Sequence, residues 1–301
     1  MTDQLSANPP APLTQLDIDQ RVFDLYDEYC HGHMDRRSFF AQCAAIVGGL
    51  AMAQALIPNY ALAQTISFTD SRIKATYVTY DSPGGSSGKM RGYLVQPTGQ
   101  GPFGTVLVIH ENRGLNPYIE DVARRAAAEG FLALAPDGLF PLGGYPGNDD
   151  DGRDMQSKLE QPKLRTDMLN SAKWLKAHAL SNGKLGVTGF CWGGGTTNWL
   201  AATLGPDMQA GAPFYGAAAA ADTVANIRAP LVLHFAENDA GINGQWPAYE
   251  AALKAAGKTY EGHTYPGTQH GFHNNSTPRY QEAAAKLAWE RTVALFNRTL
   301  K

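Results

Sequence analysis

The chain has 301 residues, 44% of them hydrophobic and 18% charged, with a formal net charge of -3. This balance excludes wholesale disorder, and so small a charge gives no electrostatic reason to bind nucleic acid or an acidic membrane surface. No strongly apolar run reaches the roughly 18 residues of a spanning helix, so stable membrane insertion is not expected, and a chain this long buries a core without staples.

The first segment differs from the rest. Residues 34–63 read MDRRSFFAQCAAIVGGLAMAQALIPNYALA. Arg36 and Arg37 precede a weakly apolar Ala/Gly-rich stretch, then Pro58 and a small-x-small site at Ala61-Leu62-Ala63. That order is expected of a cleavable export signal, and the arginine pair with modest hydrophobicity resembles the twin-arginine type. Residues 1–63 are therefore expected to be an N-terminal segment carrying a leader for the periplasm. The alternative is a retained segment on a cytoplasmic protein, with Val22–Leu56 forming helices packed on the body. Residues 1–63 hold 3 of the 25 basic and 7 of the 28 acidic groups, leaving 22 and 21 on 64–301, a net of +1. Of Cys30, Cys43 and Cys191, only Cys191 falls in that second part, so it has no intramolecular disulfide partner there.

From Ile73 strands and helices alternate. Ile73–Tyr80 and Gly92–Gln96 flank the turn-rich Ser82–Gly88 and predict a hairpin. Thr105–Ile109 is a continuous apolar run, as a strand covered on both faces requires. Pro117–Glu129 has helical spacing, with a proline at its start and Gly130 after its end. Strands follow at Phe131–Ala135, Lys184–Thr188, Ala210–Tyr215, Leu231–Phe235 and Thr259–Tyr265. Helices are expected at Lys163–Ala179, Thr197–Leu204, Pro247–Ala256 and Arg279–Leu300. This order predicts an α/β fold with a mostly parallel central sheet flanked by helices on both faces. Gly143–Asp154 is the one long polar insertion; it lacks calcium-loop spacing and reads as a solvated or site-covering loop.

The chemistry concentrates at Gly189-Phe190-Cys191-Trp192-Gly193, where a strand runs into Gly-x-Cys-x-Gly and then a helix. This is the nucleophile elbow of the α/β-hydrolase fold. Its strained turn needs residues without side chains two before and two after the nucleophile. The turn also sets the thiol at a helix N-terminus, where free N–H groups favour a thiolate and an oxyanion. The opposing interpretation, a buried inert cysteine, does not account for the strand before and the helix after.

In this fold the acid and then the histidine follow the nucleophile. LVLHFAENDAG supplies Asp239, with Glu237 as the alternative, and HTYPGTQHGFHN supplies His270, with His263 and His273 nearby. His270 would take the thiol proton and Asp239 would orient the ring. Trp192 and Asn112, the latter in the loop after Thr105–Ile109, are the expected oxyanion-hole residues. No metal or other cofactor is expected, since no HExxH or compact ligand set is present.

With VLVIHENRGLNPYIEDVARR, FLALAPDGL, GKLGVTGFCWGGG, ENDA and YPGTQHGFH, the chain resembles the dienelactone hydrolase (carboxymethylenebutenolidase) family from about residue 73 to 300. The resemblance implies a small-molecule ester or lactone substrate and a role for Glu111, which in that family hydrogen-bonds the resting thiol. It also implies arginines that hold a substrate carboxylate, one of them shortly after the histidine. Here His270-Gly271-Phe272-His273-Asn274 contains none, which leaves Arg153 and Arg113 as weak candidates. The expected function is hydrolysis of carboxylic esters or lactones through Cys191, His270 and Asp239. A thioesterase, acyltransferase or peptidase on the same scaffold is the alternative, and a non-catalytic binding protein is the reading from another class.

Overall fold

The computed structural model describes residues 36–47, 65–67 and 70–301, together with Arg21 and Leu25 as single helical positions. Helix α1 spans Arg36–Val47 and so begins at the arginine pair. The Ala61-Leu62-Ala63 site lies outside the described residues. No helix among the described residues is long and apolar enough to cross a membrane.

The body is built on one eight-stranded sheet: β1 (Ile73–Ser82), β2 (Gly88–Pro97), β3 (Phe103–Ile109), β4 (Leu132–Pro136), β5 (Ser181–Phe190), β6 (Ala210–Phe214), β7 (Leu231–Asn238) and β8 (Tyr260–Gln269). The spatial order is β1-β2-β4-β3-β5-β6-β7-β8. The β1–β2 hairpin and the β2–β4 pair are antiparallel, and every other pairing is parallel. The sequence implied this α/β-hydrolase arrangement, with α2 (Pro117–Ala128), α3 (Asp149–Ser157), α4 (Gln161–Lys176), α5 (Trp192–Leu204), α6 (Ala240–Asn243), α7 (Trp246–Ala255) and α8 (Glu282–Leu300) between and after the strands.

Alternation along the strands sorts the core into two layers. Val106, Val108, Ala133 and Ala135 face α2 and α8, which contribute Ile119, Val122, Ala288, Leu295 and Phe296. Leu107, Ile109, Leu132 and Leu134 face the other way, against Leu164 and Met168 of α4, Leu200 of α5 and Leu253 of α7. Both faces of the central strands are therefore dry, which explains their uninterrupted apolar sequence.

Two elements differ from expectation. The second half of Gly143–Asp154, read as a solvated or site-covering loop, instead opens α3 (Asp149–Ser157): Asn148 caps it by accepting from Asp151 N at 2.9 Å, and three aspartates fill its first turn against the helix dipole. β8 continues through Pro266 to Gln269. Among the described residues it pairs only with β7, so a proline there removes no bond from an outer neighbour.

The chain just after the candidate leader is fastened to α2. Asp121, fully buried, accepts from the backbone N–H groups of Thr65 at 2.9 Å and Ile66 at 2.8 Å, and from Arg125 Nε at 2.8 Å. Arg124 Nε returns a bond to the Ile66 carbonyl at 2.6 Å. Removing one member of a buried ionic network strands its partners, at a cost of about 3 kcal/mol. Asp121→Ala should lower the stability of the protein by that amount in urea denaturation, with an unchanged m-value. A loss of only a few tenths of a kcal/mol would show that these contacts behave like surface pairs.

Candidate active site

The strand order reverses direction between β3 and β5: the chain steps outward from β3 to β4, then returns across to β5. In open α/β sheets the carboxyl ends of strands at such a reversal are the usual ligand position. Glu111 and Asn112 follow β3, Cys191 follows β5, Asp239 follows β7, and His270 follows β8. Residues far apart in sequence thus collect along one sheet edge.

Cys191 occupies the turn from β5 into α5 with φ 54° and ψ -114°, in the left-handed half of the map that costs a non-glycine residue about 1–3 kcal/mol. Its neighbours make this possible. A Cβ on Gly189 would lie 2.3 Å from Gly193 O, and one on Gly193 would lie 2.4 Å from Ile109 O. Both positions therefore require glycine, and α5 is pressed directly onto the end of β3. Cys191 N donates to Phe214 O at 3.1 Å, which ties the turn to β6 as well.

Asp239 divides its two oxygens between two tasks. Oδ1 caps the short helix α6 through Ile242 N at 3.3 Å, and Oδ2 meets His270 Nδ1 at 2.6 Å. Both side chains are almost wholly buried. Glu237, the alternative acid, is exposed and closes a different turn by accepting from Gly267 N at 2.8 Å. His263 is half-buried on β8 beside Glu261, at 3.3 Å. His273 is buried, with Nδ1 2.7 Å from Tyr118 Oη.

Electrostatics separates the buried histidines. Burial alone would depress His270, but the charge of Cys191 and then that of Asp239, with hydrogen bonds donated to both, lift it well above the ordinary imidazole value. Burial dominates at His273 and His234, which are pushed well below that value and are neutral. Glu111 is buried, and desolvation raises its carboxyl despite the opposing influence of Arg113 and Arg279. Its carboxylate accepts from Asn274 Nδ2 at 2.8 Å, and this bond, rather than one from the thiol, is what the structure gives it.

The remaining candidates sit at the start of α5, in the loop after β3 and on α3. Trp192 opens α5 half-buried, its Nε1 donating to Gln161 at 3.0 Å, and Asn112 is half-buried in the β3 loop. Arg113 lies buried 3.6 Å from Asp149, and Arg153 of α3 pairs with Asp154 at 3.4 Å. Two further residues were not visible in the sequence. Tyr215 follows β6 at φ 35°, fully buried, with its ring 4.9 Å from that of His270. Arg279, also buried, packs across Gly271 and acts electrostatically on Glu111 and Tyr215. No local signal marks either residue, because each reaches the site from a loop without a motif.

The charged form of His270 is favoured on folding. Its contribution to stability is therefore complete below an ordinary value near 6.5 and is lost as pH rises through the elevated folded value. Cys191→Ala and Asp239→Asn each remove one cause of that elevation, so the His270 resonance followed by NMR should titrate at lower pH in both variants. A midpoint unmoved in either would contradict the coupling of the three groups.

A family model described as the dienelactone hydrolase family matches residues 90–300, and a second, described as YqhI-like, matches residues 10–47. A Methylorubrum extorquens protein provisionally named a carboxymethylenebutenolidase is 31% identical over 279 residues, covering 85% of this chain and 94% of that protein. An Escherichia coli chain provisionally named hydrolase fragment YghX is 59% identical over 112 residues, or 37% of this chain and 95% of that one. A crystal structure from Klebsiella pneumoniae, provisionally titled a dienelactone hydrolase, superposes with a TM-score of 0.63 at 29% identity, covering 74% of this chain and 99% of that one. The chain belongs to the dienelactone hydrolase family and carries its hydrolase fold.

Proposed function

We propose that the protein hydrolyses carboxylic esters or lactones through a covalent acyl-enzyme, with Cys191 as nucleophile, His270 as general base and acid, and Asp239 as the group that orients His270. One observation carries this reading: His270, with Nδ1 held 2.6 Å from buried Asp239, is electrostatically coupled to a cysteine kept at positive φ on a strand-to-helix turn. An inert structural cysteine has no need of a strained turn or of a coupled imidazole.

In the first half-reaction His270 Nε2 takes the Sγ proton and the thiolate attacks the carbonyl carbon. The carbonyl π-electrons move onto oxygen, where the backbone N–H groups of Trp192 and Asn112 would receive the negative charge. The C–O bond to the alkoxy group then breaks, His270 returns the proton to that oxygen, and a thioester remains. In the second half water adds to the thioester with His270 as base, and the C–S bond breaks to release the acid. A lactone follows the same path, with the leaving hydroxyl still attached to the acyl chain.

Glu111 fits this scheme as a carboxyl lifted above its ordinary value by burial, which disfavours a second negative charge beside a developing thiolate. Arg113 and Arg153 are occupied by Asp149 and Asp154, which favours an uncharged acyl group over a carboxylate-bearing substrate. The fold also supports promiscuous chemistry: a metagenomic neighbour is titled a dienelactone hydrolase-like phosphotriesterase, at 22% identity and a TM-score of 0.66.

Intact-mass spectrometry during turnover of a p-nitrophenyl ester and a small lactone tests the mechanism. An acyl adduct is expected on the wild type and absent from Cys191→Ala, and iodoacetamide or peroxide should abolish turnover. Full activity after complete alkylation of Cys191 would overturn the reading. Equal background rates without any adduct would favour a non-catalytic binding protein.

The same proposal extends to the N-terminus: residues 34–63 serve as a twin-arginine-type leader and the hydrolase body starts at residue 64. The fastening of Thr65 and Ile66 to Asp121 supports a body that begins there. N-terminal sequencing of the periplasmic fraction of an expressing bacterium should find Gln64 first. Recovery of the uncleaved chain from the cytoplasm alone would overturn this part.

A further inference from the structure

His110, between β3 and Glu111, is fully buried and takes no part in the scheme above. Its two ring nitrogens are both engaged. The backbone N–H of Gly138, in the loop after β4, donates to Nε2 at 3.2 Å. A backbone N–H can only donate, so Nε2 carries no proton, and the proton of the neutral ring sits on Nδ1. Burial, which pushes His110 below the ordinary imidazole value, maintains that neutral form. Nδ1 lies 2.5 Å from Glu111 O and therefore donates to it.

That carbonyl belongs to the peptide joining Glu111 to Asn112. The peptide is trans, so its N–H, contributed by Asn112, points opposite to the carbonyl that His110 holds. Fixing one end of a planar group fixes the other. The same imidazole stacks on the indole of Trp192, with centroids 5.4 Å apart and planes 17° apart. Gly193, next to Trp192, packs onto His110 O, where a Cβ would approach to 2.5 Å. Gly138 completes the support, because a Cβ there would lie 2.5 Å from Nε2.

We infer that His110 is a positioning residue for the oxyanion hole: through one hydrogen bond and one stacked ring it sets the Asn112 N–H and the Trp192 backbone at a common separation. This rests on the ester-hydrolase reading of the same site. His110 never meets the substrate; it acts through the peptide behind it. Its function should therefore be confined to steps that place negative charge on a carbonyl oxygen.

Two reactions of Cys191 separate that role from general support. Acylation by p-nitrophenyl acetate develops an oxyanion, whereas alkylation by iodoacetamide displaces iodide at a saturated carbon and does not. His110→Phe retains the aromatic ring and loses both hydrogen bonds. It should acylate about 10²-fold more slowly, the scale of a small misplacement of reacting groups, with KM little altered and the alkylation rate unchanged. His110→Asn, whose amide N–H falls near Nδ1, should recover most of the acylation rate. If the phenyl ring prevents folding, His110→Gln replaces it, since its longer amide misses Glu111 O and should remain slow where His110→Asn is fast.

Acylation at the wild-type rate in His110→Phe or His110→Gln overturns the inference. So does a parallel loss of acylation and alkylation, which is the mark of a collapsed site. A wild type that is alkylated but never acylated overturns the ester-hydrolase reading itself, and this inference with it, and is told apart because it appears without any substitution.

Discussion

The close backbone packing of Gly189 and Gly193 around the turn at Cys191 is the constraint on which the arrangement depends. A strand and a helix meet at Cys191 with no room for a Cβ at Gly189 or Gly193, and the nucleophile itself is held at positive φ. Strain of this kind persists only where the surroundings over-determine it. Here they do so from three directions: β6 through the Cys191 N to Phe214 O bond, β3 through the carbonyls of Ile109 and His110, and α5 through the Gly195 N to Cys191 O bond. The result is a cysteine whose position is set by backbone geometry rather than by its own side-chain contacts. That is the form of preorganisation a nucleophile needs, because the turn cannot relax when the thiol changes charge.

Charge is distributed around that fixed point in a particular way. Three buried groups respond differently to the same dry surroundings. His270 is lifted because Cys191 and Asp239 outweigh the cost of burying its charge; Glu111 is lifted because burial outweighs the pull of its cationic neighbours; His110 falls because little opposes burial. Under the proposed mechanism the imidazolium then faces one full negative charge from Asp239 and one developing on sulfur. The burial that lifts Glu111 disfavours a further negative charge beside them, and His110 stays a single-proton donor. A charged Glu111 would oppose the thiolate, and a charged His110 would break the bond from Gly138 N.

How much of this was legible in the sequence follows from where each feature gets its information. The buried strands announced themselves because two dry faces require apolar residues at every position, as in TVLVI. The elbow was legible because steric exclusion at two fixed offsets leaves glycine as the only residue type. Asp239 could be preferred over Glu237 by reach, and the structure puts the two carboxylates on different partners. Helix α3 was not legible: its cap Asn148 and three acidic residues were visible, but the buried positions are Asp149, Gly152 and Gln156, which carry no apolar periodicity. Tyr215 and Arg279 were hidden for another reason. Their proximity to the site is created by the topology of β6 and the loop before α8, and no short pattern encodes it.

This difference also separates chemistry from specificity within the molecule. The groups assigned to bond making sit just past the carboxyl ends of strands β5, β7 and β8, where the backbone and the buried Asp239–His270 pair leave them little freedom. Helix α3 is attached to the β3 loop from outside that set: a Cβ on Gly152 would lie 2.3 Å from Arg113 O, so the helix rests directly on the loop. Arg113 and Asn116, on that loop, both engage Asp149, the first residue of α3, and Asn116 also caps α2. Altering the exposed face of α3 can therefore leave the elbow and the Asp239–His270 pair as they are. Displacing Asp149 cannot, because the loop holding Glu111 and Asn112 would move with it. Specificity in this protein is adjustable only down to that anchor, and below it substrate selection and chemistry share the same residues.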